Sequence, residues 1–448
     1  MTRFSHFKSL FVLGLPLIGS NVAQMAITAT DTLMLGRYDV TALAAATLAG
    51  SIFFTLFIVG SGFAWAVTPL VAAASEEGDI VQARRVTRMG LWLSFIYGAI
   101  MLPPMFFSEP LFLLIGQEPE VAALAQTYLR IAGWGILPAL VVMVLKAFLS
   151  ALEHTPIILW VTIIAAILNA LINYALIFGN WGAPELGVQG AAIASVAVQL
   201  ASAVLLGVYV TAKLPAFALF QRIWRRDGEA LGTVFRLGWP IGVTSFAETG
   251  LFTASAIMMG WLGAVPLAAH GIALQLASMT FMVHLGLSQA ATVRAGRTWG
   301  RKDIAALKTG GNVAVVSSLV FAMITIAAFL LFPEVLISFF VDADDSQRPE
   351  ILAIGVGLLA LAALFQLVDG AQVMALGLLR GVQDTRVPMI LASLSYWGLG
   401  LPAGYVLGFP LGLGAVGIWL GLVVGLAMAA VLLLGRFYGP TLRRLSAV

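Results

Sequence analysis

The 448-residue sequence contains no cysteine and four histidines, and charged residues make up only 10% of it. The absence of cysteine excludes disulfide frameworks, iron–sulfur clusters, thiolate zinc sites and cysteine nucleophiles. The sequence also lacks HExxH, GxSxG and the GxxxxGK[ST] phosphate loop, so we expect no enzyme activity, no ATP hydrolysis and no cofactor. A formal net charge of +3 is too small for a nucleic-acid-binding surface, and no nucleic-acid partner is expected.

Hydrophobic residues are abundant instead, at 60% of the chain, against about 45–50% in soluble proteins. A transmembrane helix needs about 20 apolar residues, and the sequence divides into twelve such segments. We therefore predict an all-α integral membrane protein, and the lipid bilayer is its first expected partner. We expect the N-terminal segment to be retained as the first helix. The predicted spans are 10–34, 44–72, 87–108, 123–149, 157–179, 188–212, 235–260, 265–292, 309–333, 351–379, 387–409 and 412–436.

The basic residues are distributed asymmetrically across these spans. When loops are assigned alternately to the two sides, all but Arg37, Arg130 and Arg348 of the 24 lysines and arginines fall on the side of the N-terminus. The positive-inside rule places that side in the cytoplasm. We expect a multi-pass protein of the bacterial inner (plasma) membrane with both termini cytoplasmic.

The two halves of the chain resemble each other at an offset near 224 residues. The segment 14–19 (GLPLIG) matches 238–242 (GWPIG), and 78–80 (GDI) matches 302–304 (KDI). Six spans per repeat predict two parallel six-helix bundles, an arrangement typical of transporters with a central cavity. The predicted organisation is an N-terminal lobe 1–212, a cytoplasmic linker 213–234 and a C-terminal lobe 235–448.

Three carboxylates lie well inside apolar spans: Asp31, Glu248 and Asp369. A carboxylate within a span costs about 2.5–3.5 kcal/mol on insertion scales, and intramembrane acids mark ion pathways. Neutral hydrogen-bonding residues accompany each acid at helical spacing, a pattern that suits uptake and release of H⁺ or Na⁺. The alternative is that these acids hydrogen-bond to neighbouring helices or lie near a wet surface.

Other polar residues within the spans are candidates for supporting or cavity roles. For Asn169 and Asn173 we favour hydrogen bonds to other helices, with a cavity role as the alternative. For His284 we favour a satisfied interior histidine, with a proton relay as the alternative. The full set of supporting candidates is Asn21, Gln24, Thr28, Asn169, Asn173, Thr244, Ser245, Gln275, His284 and Gln366.

Several segments together resemble the multidrug and toxic compound extrusion (MATE) transporters, NorM-type branch, over essentially the whole chain. They are 29–37 (ATDTLMLGR), 67–72 with 78–79, 269–275 (AHGIALQ) through 294–296, and 369–373 with 379–385 (LRGVQDT). The resemblance implies the MATE fold, with Asp31 matching the acid linked to proton coupling. Glu248 and Asp369 match the acids linked to cation binding and are the candidate Na⁺ ligands.

This resemblance implies a secondary active multidrug efflux antiporter that works by alternating access. It would export small cationic, amphipathic drugs or toxins in exchange for Na⁺ or H⁺, and we expect a monomer. One alternative is a flippase for lipids or lipid-linked oligosaccharides of the same superfamily, which the scarcity of basic residues within spans disfavours. A second alternative, an integral-membrane enzyme, lacks a catalytic cluster in the sequence.

Overall fold

A computed structural model describes residues 2–341 and 346–443, and no strand occurs among these residues. Twelve of the described helices are long and apolar enough to cross a membrane, which confirms the predicted class and the number of spans. They are α1 (Arg3–Tyr38), α2 (Val40–Glu76), α3 (Ile80–Phe106), α4 (Pro119–Ala151), α5 (Thr155–Phe178), α6 (Val188–Lys213), α7 (Gly228–Leu262), α8 (Ala264–Gly300), α9 (Ile304–Leu331), α10 (Arg348–Gly381), α11 (Arg386–Gly408) and α12 (Gly414–Thr441).

Most helices extend beyond the apolar runs that predicted them. The apolar run of α8 ends near 292, for example, but the helix continues to Gly300. Polar ends remain helical because their first backbone N–H groups are capped: Asp39, Asp79 and Asp303 accept hydrogen bonds from the N–H groups of Ala42, Gln82 and Ala306. Hydropathy therefore locates each span but underestimates its length.

Three of the long helices contain irregular turns, one of them the π-helical segment Phe437–Thr441 at the end of α12. A 3₁₀ turn at Gly133–Gly135 lies inside α4, and a π-helical segment at Leu394–Gly400 separates the two α-helical parts of α11. Segments with π-helical bonding occur frequently at functional sites. In α11 this segment carries the fully buried Tyr396.

The segment between α6 and α7 is shorter than predicted. Because α7 begins at Gly228, the segment that joins α6 to α7, which we call the linker, comprises residues 214–227, and the predicted linker 213–234 includes the first two turns of α7. Glu229 lies in the first turn of α7, where its negative charge favours the helix N-terminus. This polar first turn explains why the hydropathy pattern assigned it to the linker.

The structure divides into two compact units, and their boundaries lie inside α1 and α7. The first unit is Gly19–Gly242, and the second unit combines Met1–Ile18 with Val243–Val448. The predicted lobes instead kept residues 1–18 in the N-terminal half and 235–242 in the C-terminal half. Residues 1, 342–345 and 444–448 lie outside the described part, including Arg444, which contributes to the predicted charge asymmetry.

Each unit has its own helix packing. In the first unit α2 packs on α3 and α4, and α5 packs on α6. In the second unit α10 packs on α8, α9 and α12. The central place of α10 buries Asp369, which is only 3% exposed.

Candidate ion-coupling sites

In the first unit, Asp31 of α1 meets two asparagines of α5. Its Oδ1 accepts hydrogen bonds from Asn169 Nδ2 at 3.0 Å and from Asn173 Nδ2 at 2.5 Å. Asn173 Nδ2 also donates to Asn169 Oδ1 at 3.2 Å, which fixes the orientation of both amides. The structure thus joins one predicted acid with two predicted supporting residues, and we call this group the Asp31 clamp.

The spacing of the two asparagines explains the clamp. Positions i and i+4 lie on one face of a helix, so both amides of α5 point at the same carboxylate oxygen. Both asparagines are fully buried, whereas Asp31 is half-buried. A carboxylate held by neutral donors keeps its charge uncompensated, and it is therefore able to accept a proton or a cation.

The other predicted residues of α1 lie outside the clamp's hydrogen bonds. Asn21 is half-buried, and Gln24 and Thr28 are exposed in the described structure. Thr28 contributes its backbone carbonyl to Thr32 Oγ1 at 3.0 Å. Their place on the same helix face as Asp31 follows from their spacing, and a role in coupling stays a prediction.

In the second unit, Glu248 of α7 and Asp369 of α10 lie close enough for their charges to interact. The Glu248 carboxylate hydrogen-bonds with the side chain of Gln372, one turn of α10 beyond Asp369. Gln372 Nε2 in turn donates to Tyr396 Oη at 2.5 Å. Two acids, an amide and a phenol from α7, α10 and α11 therefore form one group.

Three oxygens on α10 are buried without a hydrogen-bond partner among the described residues: Gln366 Oε1, Asp369 Oδ1 and Gln372 Oε1. Gln366 Nε2 donates to the carbonyl of Ala277 on α8 at 3.2 Å, so Gln366 Oε1 points away from that carbonyl. A buried acceptor left unpaired costs about 1–3 kcal/mol. These three oxygens on one helix are therefore the candidate acceptors of the second-unit site.

His284 of α8 lies beside the same stretch of α10. Its Nδ1 lies 2.8 Å from Ser318 Oγ, and Ser318 Oγ donates to the carbonyl of Gly370 at 3.2 Å. Because the hydroxyl has one proton and gives it to Gly370, His284 Nδ1 must be the protonated donor. The neutral ring then has its acceptor at Nε2, which is buried and has no partner in the described structure.

The remaining predicted residues of this unit have simpler surroundings. Thr244 and Ser245 are buried on α7 one turn before Glu248, and Gln275 is exposed on α8. No group of three or more His, Cys, Asp or Glu able to hold a metal occurs among the described residues. A cation held by Glu248 and Asp369 would therefore need amide or hydroxyl oxygens as well.

Two contributors to the second-unit site were not predicted. Arg380 falls near the end of α10, where its charge interacts with Glu248, although the sequence pattern placed it in a loop. Tyr396 reaches Gln372 from the π-helical segment of α11. In the sequence, Arg380 directly precedes Gly381, at which α10 ends. This position indicates that the arginine belongs to the last turn of the helix.

A fold of membrane-spanning helices with carboxylates inside the spans of both units is typical of membrane transporters. The family model MatE matches residues 16–175 and 240–406, one segment in each half of the sequence. The chain belongs to the MatE family of multi-pass membrane transporters.

The chain is also similar over nearly its full length to curated relatives. It is 48% identical to "Probable multidrug resistance protein NorM" of Rhizobium meliloti (strain 1021), covering 99% of this chain and 95% of that protein. It is 46% identical to the protein of the same name from Agrobacterium fabrum, covering 97% and 94%.

Solved structures show the same fold at low sequence identity. The crystal structure of the eukaryotic MATE transporter AtDTX14 has a TM-score of 0.87 at 18% identity, covering 99% of this chain and 98% of that one. An outward-facing MATE family multidrug resistance transporter has a TM-score of 0.87 at 20% identity, covering 99% and 96%.

Proposed function

We propose that this protein is a secondary active multidrug efflux antiporter of the bacterial plasma membrane. It exports small cationic, amphipathic compounds by alternating access, in exchange for Na⁺ or H⁺. The observation that carries the proposal is the group of unpaired buried acceptors on α10 beside Glu248. The names of the relatives, which are multidrug resistance proteins, support the substrate class.

The second-unit site suits a coupling ion for electrostatic reasons. Glu248 and Asp369 place two carboxylates together, and like charges in a buried site repel unless a proton or cation separates them. Asp369 Oδ1 and Gln372 Oε1 supply oxygen acceptors for either ion. Arg380 interacts with Glu248, which leaves Asp369 as the acid with the greater need for a bound ion.

The Asp31 clamp suits a proton better than a metal ion. Its two amide groups present N–H donors to Oδ1, and donors repel a cation at that oxygen. We propose that Asp31 takes part in proton coupling and that a Na⁺ ion, where used, binds at Glu248 and Asp369.

An ion gradient supplies enough free energy for this transport. Each net charge that crosses the membrane contributes about 2.3 kcal/mol per 100 mV, which supports a roughly 50-fold gradient of a neutral substrate per ion. A monovalent cationic substrate exchanged for one ion moves no net charge, so its export is driven by the concentration gradient of the coupling ion. Cytoplasmic termini and a monomeric state remain part of the proposal. Since the chain has no cysteine, single cysteines introduced at Lys213 and Arg348 would report sidedness by labelling with an impermeant maleimide.

The test is cationic-dye transport in proteoliposomes under Na⁺ and H⁺ gradients imposed separately. Asp369→Asn and Glu248→Gln should each abolish transport driven by the coupling ion at normal protein levels. Glu350→Gln, a matched change of an exposed acid on the same helix α10, should leave transport unchanged. Undiminished transport in both site variants, or dye movement that follows neither gradient, would refute the proposal.

A further inference from the structure

The linker, residues 214–227, is fastened to one face of α3. Arg88 donates to the carbonyls of Leu219 at 2.7 Å and Ala218 at 2.6 Å, and Trp92 Nε1 donates to the carbonyl of Ile223 at 2.7 Å. These bonds engage backbone atoms of the linker and leave its side chains free to face elsewhere. The linker is therefore held as an ordered segment although it has little regular secondary structure.

Its two ends are fixed as well. Near the first end, Phe217 packs edge-on against the buried Phe148 with ring centroids 5.2 Å apart. At the second end, Arg85 Nε donates to Asp227 Oδ2 at 2.5 Å, and Arg85 Nη2 donates to Glu229 Oε2 at 2.7 Å. Both acids at this end are therefore already paired by Arg85.

The linker contains exposed aromatic and basic side chains. Trp224 is 71% exposed and Phe220 is 37% exposed. Arg222, Arg225 and Arg226 are exposed around them. These five residues, which we call the linker patch, carry three positive charges next to two apolar rings, and the nearby acids are held by Arg85.

The position of the linker patch points to a lipid partner. It lies between Lys213 at the end of α6 and Gly228 at the start of α7, so both neighbours along the chain are ends of membrane-spanning helices. Tryptophan favours the membrane–water interface, and arginine binds phosphate groups through two parallel N–H donors. Basic residues beside a span are attracted to anionic lipid surfaces.

We propose that the linker patch binds the headgroups of anionic phospholipids, with Trp224 inserted at the interface and Arg222, Arg225 and Arg226 on the phosphates. The bonds from Arg88 and Trp92 hold the linker in the conformation that presents these side chains. The proposal is independent of the coupling ion and of the exported substrate, since none of its residues belongs to either carboxylate site.

The experiment uses the full chain in detergent with Gln221→Cys, an exposed position in the linker, labelled with an environment-sensitive fluorophore. Short-chain phosphatidylglycerol, short-chain phosphatidylcholine and inorganic phosphate are titrated separately. We expect phosphatidylglycerol to bind at least about tenfold more tightly than phosphatidylcholine, since each basic residue near an anionic lipid surface contributes about 1 kcal/mol.

Two triple variants decide the outcome. R222Q/R225Q/R226Q should abolish the preference for phosphatidylglycerol. R301Q/K302Q/K308Q, which removes the same charge from exposed positions in the turn after α8 and the first turns of α9, should keep it. Equal affinity for the two lipids in the parent protein, or equal loss in both triple variants, would overturn the proposal. Saturation by inorganic phosphate alone would overturn it too, since that would identify a phosphate site and not a lipid site.

Discussion

Gly62 and Gly286 lie 224 residues apart and occupy equivalent helix contacts in the two units. A Cβ at Gly62 of α2 would lie 2.5 Å from the backbone N of Gly242 on α7. A Cβ at Gly286 of α8 would lie 2.5 Å from Ile18 Cγ1 and 2.7 Å from Ile18 N on α1. The offset that appears in the sequence therefore reappears in the packing.

This contact explains the boundaries of the units. The N-terminal part of α7 packs on α2 within the first unit, and the N-terminal part of α1 packs on α8 within the second. Glycine allows the backbones to approach closely, which is how membrane helices commonly associate. Each unit thus contains one helix segment from the other half of the sequence.

Gly62→Ala and Gly286→Ala should destabilise the protein, because the new methyl group overlaps backbone atoms of the facing helix. Overpacking of this kind costs about 1–3 kcal/mol, and thermal unfolding in detergent would measure it. Gly50→Ala on the same α2 is the matched control, since its Cβ would meet nothing within 4 Å. Equal stability of the Gly62→Ala and Gly50→Ala variants would contradict the close approach of α2 and α7.

Asn173→Ala should weaken proton-driven transport, because Asp31 then loses its shorter hydrogen bond, the one of 2.5 Å. A hydrogen bond to a charged group is worth about 1.5–3 kcal/mol, so we expect at least a tenfold fall in rate under an imposed pH gradient. Asn180→Ala serves as control. Asn180 lies beyond the end of α5, and its side-chain amide donates to the carbonyl of Tyr174. Equal rates in the two variants would show that the clamp does not act in coupling.

His284→Asn should keep more transport activity than His284→Leu. An asparagine N–H can replace Nδ1–H as donor to Ser318, whereas leucine leaves the buried Ser318 hydroxyl without its donor, at about 1–3 kcal/mol. Transport rates and thermal stability of both variants would be compared with Phe281→Leu, a nearby half-buried position. If asparagine and leucine were equally inactive while both proteins stayed stable, the imidazole itself would be required, as in a proton relay.

The Arg85–Asp227 pair should make stability depend on pH in the acidic range. The hydrogen bond from Arg85 holds the pKa of the Asp227 carboxyl below its usual value. A group with a lowered pKa in the folded state stabilises above its unfolded pKa of about 4, and this contribution is lost as pH falls through the folded pKa.

Asp227→Asn should therefore reduce stability at neutral pH by up to about 1 kcal/mol and have little effect at strongly acidic pH. Glu229→Gln is the control, because Glu229 is 82% exposed and its ion pair with Arg85 contributes less. Unfolding midpoints of the three proteins across the acidic range would test this. A destabilisation by Asp227→Asn that grew towards low pH would have the wrong sign for this pair.

Asp31 and Glu248 have no carboxylate at the equivalent position 224 residues away, although the helix contacts are repeated at that offset. The position equivalent to Asp31 is Ser255, and the position equivalent to Glu248 is Gln24. Ser255 is buried with its hydroxyl bonded to the carbonyl of Leu251, while Gln24 is exposed. The two halves therefore carry different candidate sites, one in each unit.

The sequence alone was sufficient to locate the twelve spans and the three carboxylates within them. Each span contains an apolar run long enough to identify it, and a carboxylate within such a run stands out at once. The partners of these acids were not predictable in the same way. Asp31 and Asn169 are 138 residues apart, and only the packing of α1 on α5 brings them together.

Helix ends and unit boundaries also escaped the sequence pattern. Capped polar turns such as the one that starts at Asp303 extend helices without adding apolar residues. Arg380 was assigned to a loop because a basic residue usually ends a span, yet α10 includes it. The unit boundaries fall at Gly19 and Val243, inside helices whose hydropathy does not change there.

The unpaired acceptors of α10 have a consequence for how an ion travels. Gln366, Asp369 and Gln372 follow one another at three-residue intervals, so their backbone positions are spread over about 9 Å along the helix axis at 1.5 Å per residue. That span exceeds the reach of one alkali ion's coordination shell. Under the proposed coupling mechanism, an arriving ion would therefore meet these three side chains one after another and would exchange one oxygen for the next.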